Sequence, residues 1–346
     1  MPINRRCLHY TFSVAAALLA LSACNPDRSE SVAPVHPTAP PAPASGQTVV
    51  CLFSDARMPF QRAQAEFLNL LDAQDPERQL VMHDAQGQFD RQLTQIKTLA
   101  NSPPTVLLLQ PVDVAATATL IATLNTAKTR ILLLDPPGVP EPSPSVESTI
   151  ACDPLEIGRA AANVTIEALT RRAHAQGESA PQGRILEIRG SDASPWCSRV
   201  HEGFVGGLTT QTGIVLVHDA PADWTPAKAK SRYTEAIRLQ KAIDVVFAHD
   251  DFIAQAIHLA ATEAGTRDDT LIIGVNGFAG PEGGLKMMKR NELDATIQRP
   301  FLVDHAWQLI RQAPDPGHPA ETFVKPRTIV PGNLDNPVPD QTPQAR

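Results

Sequence analysis

Between two proline-rich ends, the chain alternates short runs that are apolar at every position with longer runs that are apolar only at helical spacing. The short runs lie at 49–53, 80–82, 106–109 and 131–134, then at 185–188, 214–217, 245–247 and 271–275. Among the longer ones, Phe60, Ala63, Phe67, Leu70 and Leu71 recur at helical intervals behind Pro59. Pro59 suits a first helical turn, where a backbone N–H would have no partner anyway. Leu93, Ile96, Leu99 and Ala100 repeat the period after Phe89. Strands that are apolar on both faces need cover on both faces, which helical crossovers give to parallel sheets. Two successive sets of such units predict an α/β fold of two doubly wound parallel-sheet lobes.

The ends follow different rules. Arg5 and Arg6 precede an apolar run from Phe12 to Leu21, and small residues Ser22 and Ala23 lead to Cys24. That is the layout of a secretory signal over 1–23, and the run is too short to span a bilayer comfortably. Leu21-Ser22-Ala23-Cys24 resembles the lipobox of bacterial lipoproteins. The resemblance implies that Cys24 is lipidated, becomes the first residue of the mature chain and holds the protein to a membrane surface without a spanning helix. Over 24–47, Pro26, Pro34, Pro37, Pro40, Pro41 and Pro43 stand among Ala, Ser and Thr. Such a segment cannot bury a core and reads as a tether, reaching roughly 70 Å at ~3.1 Å per residue in polyproline form. The tail at 332–346 has a similar composition and is expected to stay unpacked.

Composition narrows the partners. The 346 residues less the ends leave roughly 280, the size of two ordinary lobes. Without Arg5 and Arg6, the 30 basic residues become 28 against 37 acids, a formal −9. This argues against nucleic acid or a polyanion as a bulk partner. Beyond Cys7 and Cys24, three cysteines remain with no C-x-x-C pair, so disulfides are not the stabilising strategy. Cys51 reads as a small core residue; a Cys152–Cys197 bridge is neither required nor excluded by the sequence.

In open parallel sheets, ligands bind beyond the carboxyl ends of the strands. Here those ends carry Ser54-Asp55, Gln110, Asp135, His249-Asp250 and Asn276, with Gln298-Arg299 after Ile297. Neutral amides and carboxylates brought together from two lobes suit a small neutral ligand with many hydroxyls, since each carboxylate accepts from more than one of them.

Several local patterns, in order from about Thr48 to Val330, then resemble the type I periplasmic solute-binding proteins. Ser54 to Phe60 is similar to the first loop, and Leu107-Leu108-Leu109-Gln110-Pro111-Val112-Asp113 to the strand-end NP-x-D turn. Arg199 with Gly203-Phe204 resembles the R…GF helix start. Val246-Phe247-Ala248-His249-Asp250-Asp251 is similar to VFA-x-ND, Ile273-Gly274-Val275-Asn276-Gly277 to GFDG, and Ala295-Thr296-Ile297-Gln298-Arg299-Pro300 to ATI-x-Q-x-P. The resemblance implies one ligand cleft between lobes that close, with crossings near Asp153, Gln298 and Arg327. One lobe would comprise 48–152 with 299–326, and the other 153–298 with 327–331. Carried over by position, Ser54, Phe60, Gln110, Asp135, Arg199, Asp250, Asn276 and Gln298 fall on the pocket. Met58 stands where the family has Asn, Pro136 where sugar binders have Arg, and Asp250 where they have Asn. The implied role is that of a monomeric, membrane-anchored periplasmic receptor serving an inner-membrane permease of the ABC type. A sensor adaptor for a histidine kinase or chemoreceptor is the second reading, and a cleft enzyme the third.

Facing the inferred cleft, Phe60 is expected to stack on a sugar ring, and Trp196 either to stack on it or to pack at the lip between the lobes. Phe278 is expected as a third wall or as cover for the sheet edge. Arg57 and Arg299 are within reach of the cleft but read as surface residues held by nearby acids. No Gly-x-Ser-x-Gly, Ser-x-x-Lys, His-Glu-x-x-His or phosphate loop occurs, so neither catalysis nor a cofactor is expected. His249, Asp250 and Asp251 are consecutive, and successive strand residues face opposite ways, so a metal ion is not expected there. Asp251 is expected to cap a helix over 252–263.

Overall fold

The computed structural model describes residues 46–124, 129–136, 145–240, 242–313 and 321–335. The expected signal at 1–23, the expected lipidation site Cys24 and the expected tether as far as Ser45 lie outside them. Gln47 already belongs to the folded part, pairing with Arg78.

The first lobe is laid down as β1 (Gln47–Phe53), α1 (Pro59–Ala73), β2 (Arg78–Asp84), α2 (Phe89–Asn101), β3 (Val106–Leu109), α3 (Val114–Thr123), β4 (Arg130–Leu134) and β5 (Ser148–Ala151). The second follows as α4 (Pro154–Gln176), β6 (Gly183–Arg189), α5 (Pro195–Leu208), β7 (Ile214–Pro221), α6 (Pro226–Gln240), β8 (Val245–Ala248), α7 (Asp251–Ala264), β9 (Leu271–Asn276), α8 (Gly284–Lys289) and β10 (Ala295–Gln298). The chain then returns to the first lobe for α9 (Leu302–Ile310) and β11 (Glu321–Phe323), and crosses once more into β12 (Arg327–Ile329).

Each lobe is built on a six-stranded sheet, ordered β11-β5-β4-β3-β1-β2 in the first and β12-β10-β9-β8-β6-β7 in the second. Every pairing is parallel except β12 with β10. The three crossings, 152–153, 299–301 and 324–326, all leave from the β5/β11 and β10/β12 sides of the sheets. The hinge is therefore on one side, with β2 and β7 at the far edges.

The apolar runs are central strands because helices cover both faces: Val106 to Leu109 and Val245 to Ala248 are wholly buried. β2, at an edge, is only half-buried. Helix starts follow local chemistry. Asp153 accepts from Leu155 N–H (2.9 Å) ahead of Pro154, and Ser194 caps α5 ahead of Pro195, meeting N–H groups that have no partner within the helix. Gly158 and Gly203 let α4 and α5 touch backbone to backbone. A Cβ on Gly158 would lie 2.0 Å from the Val200 carbonyl oxygen. Gln64 of α1 accepts from Leu302 N–H (2.9 Å), fixing the start of α9 after its return.

One expectation needs correction, and one question left open by the sequence is answered. The tail is not wholly unpacked: Pro331–Asn333 forms a 3-10 turn in which Asn333 accepts from Val330 N–H (2.8 Å) and donates to Thr328 O (3.0 Å), while Leu334 lies on the second lobe's core. These bonds use Asn333, whose side chain supplies both an acceptor and a donor. Cys152 and Cys197 are buried free thiols, as is Cys51.

Candidate functional site

The carboxyl ends of both sheets face one cleft of about 850 Å³. In the first lobe Ser54 follows β1 and donates through its hydroxyl to Gln110 Oε1 (3.1 Å), which also takes the Ser54 N–H (3.2 Å). The buried Gln92 holds that corner from behind, donating to Gln110 O (2.8 Å) and accepting from Val112 N–H (3.0 Å). Asp55 lies at the cleft but is tied to Arg57 (2.8 and 2.7 Å), whose guanidinium holds its carboxyl below the usual range. Asp135 follows β4 in the left-handed region, at φ 45°.

The second lobe contributes Asp250, Asn276, Trp196, Trp224 and His249. Asp250 accepts from Phe252 N–H (3.0 Å) with one oxygen and from Asn276 Nδ2 (2.6 Å) with the other. Burial first, and the neighbouring Asp251 second, push the Asp250 carboxyl well above its usual range. Asp250, not Asp251, is thus the cap of α7. Asp251 points into the lobe, where it accepts from Gly277 N–H (2.7 Å), Gly284 N–H (2.9 Å) and Thr296 Oγ1 (2.7 Å). Burial carries its pKa up to about 7 despite those donors. Adjacent residues at a strand end face opposite ways, so one carboxylate lines the cleft while the next fixes the loop behind Asn276. Among the described residues no group of three or more His, Cys, Asp or Glu could hold a metal ion.

The cleft's guanidinium belongs to Arg299, which reading the sequence had put on the surface. It is buried, pairs with Asp135, donates to Asn276 Oδ1 (3.2 Å) and lies over the rings of Phe60 (4.8 Å) and Trp196 (5.2 Å). Its partners come from both lobes.

Three of the ten site candidates, Phe60, Arg199 and Gln298, fall elsewhere, as does Phe278. Phe60 is 1 % exposed and sits in an aromatic cluster with Phe301 (5.7 Å) and Phe278 (6.2 Å); its ring supports Arg299 and does not wall the cleft. Phe278 crosses from the second lobe into that first-lobe cluster, taking neither of the expected roles. Arg199 is on the outer face of α5, paired with Glu202 (2.9 Å), because the first turn of α5 turns Trp196 inward instead. Gln298, 2 % exposed, donates to Gly277 O (2.7 Å) behind the cleft. The remaining seven, Ser54, Asp55, Gln110, Asp135, Trp196, Asp250 and Asn276, line it.

Of four further lining residues, the sequence marks Met58, His249 and Arg299 at strand ends or the first loop without assigning them to ligand binding, and gives no sign of Trp224. Trp224 was missed because β7 runs four residues beyond its apolar stretch, through His218 and Asp219 to Pro221; at an edge strand, polarity does not end the strand. His249 stands over a charged chain. Its Nε2 meets Glu187 Oε1 (2.8 Å), and Glu187 Oε2 meets His201 Nδ1 (2.6 Å). Burial opposes charge on Glu187, yet His201 and then His249 hold it down at about 2. Burial likewise opposes charge on His249, but the Cys197 sulfur and then Glu187 carry it up to about 9. A buried carboxylate needs such partners, since an uncompensated charge in the core is costly.

A family model described as a periplasmic binding protein domain matches residues 51–312. The ribose import binding protein RbsB of Salmonella typhimurium is 26 % identical over 255 residues, 72 % of this chain and 78 % of that protein. Among solved structures, a Bacillus halodurans ABC transporter solute binding protein with bound myo-inositol superposes with a TM-score of 0.73 at 17 % identity, over 85 % of this chain and 98 % of that one. The fructose binding periplasmic domain of a hybrid two component system gives 0.70 at 20 % identity, over 84 % and 92 %. At these identities the two structures speak for the fold.

Proposed function

The chain belongs to the periplasmic binding protein domain family, and we propose that it captures one small polyhydroxylated ligand, a sugar or polyol, by closing its lobes around it. The family's compartment is the periplasm, and its relatives bind solutes. The reading is carried by the convergence of Gln110 and Asp135 from one lobe with Asp250 and Asn276 from the other around the Arg299 guanidinium. Carboxylate and amide oxygens accept from ligand hydroxyls, Arg299 and Asn276 donate, and the Trp196 indole offers a flat apolar face to ring C–H groups. Closure shifts an existing open–closed equilibrium only as far as the ligand prefers the closed form.

The test is a thermal-shift screen of the purified chain against pentoses, hexoses and cyclitols. A ligand at about 100 times its Kd adds ~2.7 kcal/mol to the native state, so a true ligand raises the melting temperature. A flat response to millimolar amounts of every sugar and polyol would reject the reading.

We further propose that Cys24 carries a lipid and that 24–47 tethers the lobes to the membrane, where the closed form serves an ABC-type permease. Labelling with a palmitate analogue that survives Cys24→Ala would contradict the anchor. A sensor partner is the second reading, favoured by the likeness to a domain of a hybrid two component system. Ligand-dependent stimulation of a permease ATPase distinguishes the first from stimulation of a kinase.

A further inference from the structure

We propose that Cys197 is a reactive thiol, a modification site behind the cleft wall that a small peroxide oxidises to a sulfenic acid, with His249 supplying the proton for the leaving hydroxide. Ligand capture as read above uses neither Cys197 nor the Glu187 and His201 that lie behind His249.

These residues form a chain across the second lobe. Cys197 is the third residue of α5, which Ser194 caps. The Ser191 N–H donates to its sulfur (3.3 Å), so the sulfur sits at a helix start, where N–H groups favour negative charge. The same sulfur interacts with the His249 imidazole. Glu187 Oε1 takes the Nε2 of that ring (2.8 Å), while its buried Nδ1 has no oxygen or nitrogen partner. Glu187 is wholly buried and meets His201 Nδ1 (2.6 Å) through its other oxygen. His201 is itself half-buried on α5.

Charge balance calls for an anion at the sulfur. One buried carboxylate stands between two imidazoles, and with both protonated the chain carries a net positive charge, which is costly in a core unless compensated. A thiolate at Cys197 restores neutrality. Cys51, Cys152 and Cys197 are all fully buried free thiols, so exposure does not distinguish them. Their surroundings do. Burial pushes the Cys152 thiol up to about 12; burial acts on Cys197 as well, yet His249 and the Ser191 N–H outweigh it and hold that thiol below its usual range. A helix start and an adjacent imidazolium are the settings in which thiols become nucleophilic.

The route in is the cleft. Ser191, Ser194, Trp196 and His249 all line it, so the sulfur is screened from it by its own neighbours. A small peroxide needs only local side-chain movement to pass them. The thiolate attacks one peroxide oxygen, an S–O bond forms as the O–O bond breaks, and the sulfur gives two electrons to the peroxide. The departing hydroxide takes the His249 proton and leaves as water. A neutral sulfenic acid then stands beside a neutral imidazole, with Glu187 still paired to His201, so the step leaves no unpaired charge in the core.

The test treats the folded full chain with hydrogen peroxide in the presence of dimedone, which traps sulfenic acids, and maps the adducts by mass spectrometry. Cys51 and Cys152 are internal references, because global unfolding exposes all three thiols alike. Cys197 is trapped about tenfold faster than either, or more, as a thiolate reacts ahead of a thiol. In a pH series with iodoacetamide, its rate levels off at a lower pH than that of free cysteine. In His249→Gln the Cys197 rate falls toward that of Cys152. A lobe loosened by the substitution would expose the sulfur and raise the rate, so a fall does not come from lost structure. Trapping of Cys197 no faster than of Cys51 and Cys152, or a His249→Gln rate equal to that of the wild type, overturns the proposal.

Discussion

Arg299 and Asp135 form an ion pair with side chains only 6 % and 9 % exposed, between the hinge and the first lobe's strand ends. Because the same guanidinium also donates to Asn276 in the second lobe, one side chain ties the two lobes together beside the cleft. Taking one partner away leaves the other charge buried, which costs about 3–5 kcal/mol, whereas an apolar replacement of both is far milder. Arg299→Met and Asp135→Ala should each lower stability by that order in urea melts, and the double variant should lose less than their sum. Additive losses would mean that the pair carries no coupling.

For ligand capture, Asp250→Ala is expected to weaken affinity by about 1–3 kcal/mol, since ligand hydroxyls lose a buried acceptor. Arg199→Ala should stay within ~0.5 kcal/mol, as exposed substitutions do. Calorimetry with the ligand found by thermal shift makes the comparison, and a large effect at Arg199 would return that residue to the cleft.

Phe60 belongs to the core. Phe60→Ala should cost about 3–5 kcal/mol of stability through lost burial and a residual cavity. A denaturant midpoint that hardly moves would mean that the aromatic cluster is not as tightly packed as its ring distances imply.

The Glu187 chain fixes a pH dependence. Glu187 is held at about 2 against an ordinary 4.5, so its stabilisation is complete above about pH 4.5 and is lost as the pH falls toward 2. His249 is raised from 6.5 to about 9, so its share is complete below about pH 6.5 and is lost as the pH rises through 9. The melting-temperature gap between wild type and Glu187→Gln should therefore be widest between about pH 4.5 and 6.5 and shrink on both sides. A gap that does not change with pH would refute the charged chain.

Much of this was written in the sequence. Apolar runs of three to five residues, too short for helices and alternating with helical periods, read as strands covered on both faces, so the parallel sheets and two lobes followed from the pattern. The residue after each such run has to lie at a sheet's carboxyl edge, which is why Ser54, Gln110, Asp135 and Asn276 could be named without coordinates.

Choices between neighbours could not be read in this way. Asp250 or Asp251, Gln298 or Arg299, Trp196 or Arg199 differ by the phase of a strand end or the rotation of a helix. That phase is set by distant contacts: Gly277, Gly284 and Thr296 around Asp251, and the Gly158–Val200 approach that fixes α5. Trp224 escaped notice because an edge strand stays extended after its apolar pattern has stopped. The sequence by itself determined the lobes and the rim from which a site must be built. Tertiary structure decided which member of each adjacent pair faces the cleft, because side chains one residue apart in a strand point to opposite sides and only long-range packing selects between them.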